Sequence, residues 1–137
     1  MKKKMKGIEL AFIAIGAITG AFLRYRITSA SPLMLLGTLL VNVLIVNIIG
    51  SFILGAFSVL AIIYNLDSKY SLLVAVGFCG SLTTMSSFAL ETIEMLDERF
   101  FWRMAMNILA NVGLSIAAVI AGRQLINLIS LKGGSIL

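Results

Sequence analysis

The sequence predicts an all-α integral membrane protein of four transmembrane helices, and three observations carry that prediction. The chain of 137 residues is 60% hydrophobic and only 12% charged, with a mean hydropathy of +1.06. Soluble domains carry about 25% charged residues, so this chain could not cover its own surface in water. Its apolar residues gather into four runs, about 7–28, 33–64, 70–97 and 101–129. Each is long enough for a hydrocarbon core that takes about 20 residues to cross. The charges fall mainly at the ends of these runs: Lys2, Lys3, Lys4 and Lys6, Arg24 and Arg26, Asp67 and Lys69, Asp97, Glu98, Arg99 and Arg103, then Arg123 and Lys132.

The first run opens "MKKKMKGIELAFIAIGAITGAF". A basic stretch before an apolar one is also the form of a secretory leader. Here Arg24 and Tyr25 follow without a cleavage site, so the run reads as a first transmembrane helix. The second, "GTLLVNVLIVNIIGSFILG" (37–55), carries Asn42 and Asn47 among Gly37, Gly50 and Gly55. Small residues let another helix approach closely, and a membrane asparagine commonly makes an interhelical hydrogen bond. An amide NH2 also offers two uncharged donors, which suits a pore that must replace an anion's hydration and then release the ion. Both readings apply to each asparagine.

The third run holds "GFCGSLTTMSSFALE" (77–91), where the glycines and most of the hydroxyls collect. Glycine costs about 1 kcal/mol in a helix interior relative to alanine, so the helix is weakest at its centre. Met85 and Phe88 are three apart and share a face. An aromatic ring edge is the positive end of its quadrupole and can meet an anion. Ser86, Ser87 and Glu91 follow along the helix. Asn107 and Asn111, one turn apart, are the matching polar pair of the fourth run. The lone Cys79 makes no intramolecular disulfide and reads as packing.

Only short connections, around 29–32, 64–70 and 97–101, join the runs, so residues 1–137 read as a single domain with no ATPase module or extramembrane catalytic domain. Four helices enclose little more than a seam, so an aqueous path is expected between chains of an oligomer. The net charge of +5 is flanking charge set by lipid and topology, and no nucleic-acid partner is expected. With no histidine, no paired acids and no nucleophile beside a base, the chain is not expected to be an enzyme. A four-helix small multidrug/proton antiporter needs a carboxylate deep in its first helix. Glu9 lies at the lysine-rich end and residues 10–23 hold no acid. A structural or assembly subunit remains compatible with the glycine-lined helices.

The segment "GFCGSLTTMSSFALE" resembles the third-helix signature GFCGGxTTFSTFxxE of the CrcB, or Fluc, fluoride channels. "GAITGAFLRY" (16–25) is similar to that family's first-helix pattern, and "GTLLVN" (37–42) with "NIIGSFILG" (47–55) to its second. The resemblance covers nearly the whole chain and is weakest in the fourth helix. It implies a passive channel that exports fluoride across the plasma membrane, built as an antiparallel, dual-topology dimer. It also implies a third helix broken mid-membrane, with backbone carbonyls of Gly80 and Thr83 holding a structural sodium ion. Carried over residue by residue, the ion pathway comprises Asn47, Phe88, Ser86, Ser87, Glu91 and Arg24, with Met85, Asn107 and Asn111 as further candidates.

This sequence departs from the pattern in three places. Met85 replaces the first phenylalanine of the family's pair. Asn107 sits near a position where the family often has tyrosine. Asn42 and Asn47 compete for the second-helix amide: Asn42 fits the glycine and threonine before it, whereas Asn47, the preferred choice, fits the glycines after it. A chain that inserts both ways should have little Lys/Arg bias across the membrane. One side carries Lys2, Lys3, Lys4, Lys6, Lys69, Arg123 and Lys132, and the other Arg24, Arg26, Arg99 and Arg103. The partner is therefore expected to be either a second copy or an oppositely oriented paralogue.

Overall fold

A computed structural model of the protein describes residues 7–30, 34–35 and 39–133, with side chains for 7–30 and 41–131. The N-terminal lysines, Gly37 and the side chain of Lys132 lie outside it. Helix α1 (Gly7–Thr28) is followed by a two-residue antiparallel pair, β1 (Met34–Leu35) and β2 (Leu39–Leu40), in which Met34 faces Leu40 and Leu35 faces Leu39. Helix α2 (Asn42–Ile63) comes next. The third span, Ser68–Asp97, is composite: α3 (Ser68–Ser71), a π-helical stretch (Leu72–Cys79), α4 (Gly80–Leu82) and, after an interruption at Thr83 and Thr84, α5 (Met85–Asp97). Helix α6 (Phe101–Gly133) closes the chain. Among the described residues, four helical spans are long and apolar enough to cross a membrane.

The second helix was expected from about residue 33, and it begins at Asn42. The residues ahead of it that the structure describes include the strand pair. The apolar run is continuous across this boundary, and a short apolar stretch has no periodicity that separates strand from helix. The third span starts at Ser68 and the fourth extends to Gly133, each slightly longer than its apolar run.

The turns are built locally. Past the end of α2, Asn65 adopts φ 45°, Leu66 N–H donates to the Ala61 carbonyl at 3.0 Å and Asn65 N–H to Ile62 at 3.3 Å. That is the pairing of a Schellman motif. Arg99 repeats it after α5 with φ 61°, as Phe100 N–H reaches Met95 O at 2.8 Å and Arg99 N–H reaches Leu96 O at 2.9 Å. Asp67 starts the third span: its Oδ1 accepts the Lys69 N–H at 3.0 Å. That backbone amide is the main reason the Asp67 carboxyl is held below its ordinary value of 3.8.

Glycines set how closely the helices approach. Gly55 on α2 abuts the Val119 carbonyl on α6, and Gly122 on α6 abuts the Phe52 carbonyl on α2, so each helix is notched for the other. Gly16 on α1 and Gly77 in the π-helical stretch meet the same way. A Cβ at Gly122 would collide with Phe52 O, and overpacking of this kind costs about 1–3 kcal/mol, sometimes more. Gly122→Val is therefore expected to lower the thermal unfolding midpoint in detergent. An unchanged midpoint would show that α2 and α6 can part without penalty.

Candidate functional site

The third span breaks at its weakest stretch. Thr83 (φ −74°, ψ 152°) and Thr84 (φ −146°, ψ 112°) are extended. In an unbroken helix the Thr84 N–H would close onto the Gly80 carbonyl and the Ser87 N–H onto the Thr83 carbonyl. Here the Thr84 N–H donates to Asn47 Oδ1 at 2.8 Å. The Ser87 N–H donates to Thr84 Oγ1 at 3.2 Å, which caps the start of α5. Side chains have thus captured both amides, and the Gly80 and Thr83 carbonyls lose their helical donors. Hydroxyl residues compete with the backbone in this way, which is why they favour caps over helix interiors.

Helix α2 forms the seat for the break. Asn47 brackets Thr84: its Oδ1 takes the N–H, and its Nδ2 faces the carbonyl at a long 3.4 Å. Gly50 lies three residues on and shares that face; a Cβ there would strike Thr83 Cγ2. The first residue therefore fixes the interrupted backbone, and the second makes room for it.

Behind Asn47 runs a series of polar side chains. Its Nδ2 also donates to Asn111 Oδ1 at 3.0 Å. Asn111 Nδ2 donates to Asn107 Oδ1 at 2.9 Å and to the Asn107 carbonyl at 3.2 Å. Asn107 Nδ2 donates to Thr92 Oγ1 at 3.1 Å, and the Thr92 hydroxyl donates to the Phe88 carbonyl at 2.7 Å. Asn107 is 1% exposed and Asn111 5%. Buried amides are costly without partners, and these are satisfied by one another.

An open cavity of about 430 Å³ lies beside the break. Of the residues expected in the site, Asn47, Gly80, Thr83, Met85, Phe88 and Asn111 line it, joined by Ser51, Thr84 and Ser115. Phe88 is buried, whereas Met85 is 72% exposed. Ser86 and Ser87 gather around Thr84 Oγ1 at 3.3 and 3.0 Å. Asn107 stands one layer back, behind Asn111. Glu91 is half-buried, and its enclosed Oε2 has no hydrogen-bond partner among the described residues. Arg24 is half-buried near the end of α1 and does not line the cavity. Asn42 lies elsewhere, at the start of α2, with its Nδ2 donating to the Ala30 carbonyl at 3.2 Å. Sequence reasoning quoted Thr84 without giving it a role and missed Thr92 altogether. The available signal for Thr92 was its place one turn beyond Phe88; its contact with the asparagine pair is visible only in the fold.

These features define a class: a multi-pass membrane protein whose uncharged polar residues converge on an interrupted helix at the wall of a cleft. The chain belongs to the CrcB family, because residues 11–123 match the family described as "CrcB-like protein, Camphor Resistance (CrcB)". It is 57% identical over 125 residues to a Nitrosopumilus maritimus protein named "Fluoride-specific ion channel FluC", covering 91% of this chain and 98% of that one. Proteins of the same name from Sulfurihydrogenibium and Methanococcus vannielii are 42% and 37% identical. The matches cover 80% and 85% of this chain and 90% and 93% of theirs.

Proposed function

We propose that this chain, as the name of its relatives implies, forms a fluoride-selective channel that lets fluoride leave the cell passively across the plasma membrane. The observation that carries the reading is the character of the cavity wall. A few amide and hydroxyl groups and one aromatic ring interrupt a mainly apolar wall, and no charged side chain lines it among the described residues. Uncharged donors can replace part of fluoride's hydration without holding the ion too tightly to release it. Fluoride that enters as neutral HF dissociates in the near-neutral interior, and the membrane potential then drives the trapped anion out. No step of this requires a catalytic residue or a coupled proton.

The finer reading follows the family pattern. One chain leaves its cavity open on one side, which suits a second, antiparallel subunit closing the pathway. The released Gly80 and Thr83 carbonyls are hard oxygen ligands of the kind a sodium ion takes, and in a two-fold dimer both copies would supply them. Bound sodium would contribute a fixed charge and cross-link the two breaks.

Purified protein in liposomes is expected to pass fluoride electrogenically when potassium leak is provided by valinomycin, and to pass chloride at no more than about a hundredth of that rate, the difference expected when the barrier to passage is about 3 kcal/mol lower for one ion. Equal chloride flux, or fluoride flux that requires a proton gradient, overturns the proposal.

A further inference from the structure

A side-chain amide can turn over, exchanging donor for acceptor, unless its partners fix it. In this site the two ends of the polar series do so. The Thr84 N–H can only donate, so Asn47 must turn Oδ1 towards it. The Asn47 NH2 then meets Asn111 Oδ1, the Asn111 NH2 meets Asn107 Oδ1, and the Asn107 NH2 meets Thr92 Oγ1. At the far end the Phe88 carbonyl can only accept, and it takes the Thr92 hydroxyl hydrogen. With a fixed donor at one end and a fixed acceptor at the other, one direction satisfies every group between them.

The direction leaves Asn47 with two unequal hydrogens. One is committed to Asn111 at 3.0 Å. The other faces the Thr84 carbonyl at 3.4 Å, the long limit of a hydrogen bond. Asn47 lines the cavity and Thr92 does not. We propose that Thr92, acting through Asn107 and Asn111, is a positioning residue that locks the Asn47 amide so that its weakly held N–H is the donor offered to fluoride. This rests on the fluoride reading above. Without the Thr92 hydroxyl, Asn107 loses its acceptor and can turn, which sets its NH2 against the Asn111 NH2 that the Asn107 carbonyl holds at 3.2 Å. That clash weakens the support behind Asn47 and leaves the Thr84 N–H as its main lock. A turned Asn47 would point NH2 at the Thr84 N–H, donor against donor, and release the break.

The test compares Thr92→Val, which keeps the shape and removes the hydroxyl, with Thr92→Ser, which keeps the hydroxyl. Fluoride efflux is followed from liposomes reconstituted at low protein density. The fraction of vesicles that empty counts folded channels, and the emptying rate reports each channel. Thr92→Val is expected to slow emptying about fivefold, the factor one net hydrogen bond is worth, with the emptying fraction unchanged. Thr92→Ser is expected to restore most of the rate. Hydrogen exchange at the Thr84 amide should quicken in Thr92→Val alone. A wild-type rate in Thr92→Val, an equal loss in Thr92→Ser, or a loss confined to the emptying fraction overturns the inference. If the wild type empties no vesicles the fluoride reading fails, and hydrogen exchange then decides the positioning role: unchanged exchange at Thr84 overturns it.

Discussion

Asn47→Asp is expected to abolish fluoride flux, and Asn47→Ala to reduce it less. The carboxylate would keep the acceptor for the Thr84 N–H but place its second oxygen where Nδ2 now stands, 3.0 Å from Asn111 Oδ1 and 3.4 Å from the Thr84 carbonyl. Acceptors would face acceptors, and the charge would repel the ion the site is proposed to pass. Like charges ~4 Å apart at an effective dielectric constant near 20 repel by about 4 kcal/mol, roughly a thousandfold in rate. Asn47→Ala adds no charge but removes the donor offered to the ion, a hydrogen bond to a charged group worth about 1.5–3 kcal/mol, and leaves the Thr84 N–H and Asn111 Oδ1 without that partner; a loss of roughly ten- to a hundredfold follows. Asn42→Ala should leave flux nearly intact, because Asn42 secures the start of α2 against Ala30, away from the cavity. Efflux from liposomes ranks the three. Loss of flux in Asn42→Ala with normal flux in Asn47→Ala would move the pathway from Asn47 to Asn42.

How much of this could be read from the sequence depended on whether the signal was local. Hydropathy located the four spans because a bilayer imposes length and apolarity on each of them. The third-span break was legible as Gly77, Gly80, Thr83, Thr84 and the serines crowded into one turn-rich stretch, where helix propensity is lowest. The start of α2 was not, since the apolar run passes unchanged through the strand pair into the helix. Asn47 could be singled out, but not the Thr84 backbone it grips, because that contact joins residues 37 positions apart. The π-helical stretch Leu72–Cys79 also had no sequence signal of its own; it packs closely against α1 at Gly16 and Gly77, a contact between residues far apart in the chain. Thr92 was missed for a related reason. A single threonine in an apolar helix looks like filler until Asn107 is seen to donate to it from another helix.

Gly80→Leu should silence the channel without unfolding the chain that carries it. A Cβ at Gly80 would meet only the Ala75 carbonyl, at an ordinary 3.6 Å, and the residue is exposed at the cavity wall. The single subunit can therefore accommodate a side chain, unlike at Gly50, where a Cβ strikes Thr83. What a leucine removes is access to the Gly80 carbonyl and space on the side where a second subunit is proposed to sit. If Gly80 and Thr83 carbonyls hold a shared sodium ion, Gly80→Leu should cut flux by at least about a hundredfold, as when interactions worth about 3 kcal/mol are lost, and should weaken dimerisation in detergent while leaving helix content unchanged. Thr83→Ser preserves the carbonyl and the hydroxyl that donates to Cys79 O at 2.9 Å, so its flux should remain near that of the wild type. Replacing all sodium with N-methylglucamine should slow the wild type, and a small added sodium concentration should restore it. Full activity of Gly80→Leu in sodium-free solution would remove the cation from the site and leave the released carbonyls with another role, such as meeting the second subunit directly.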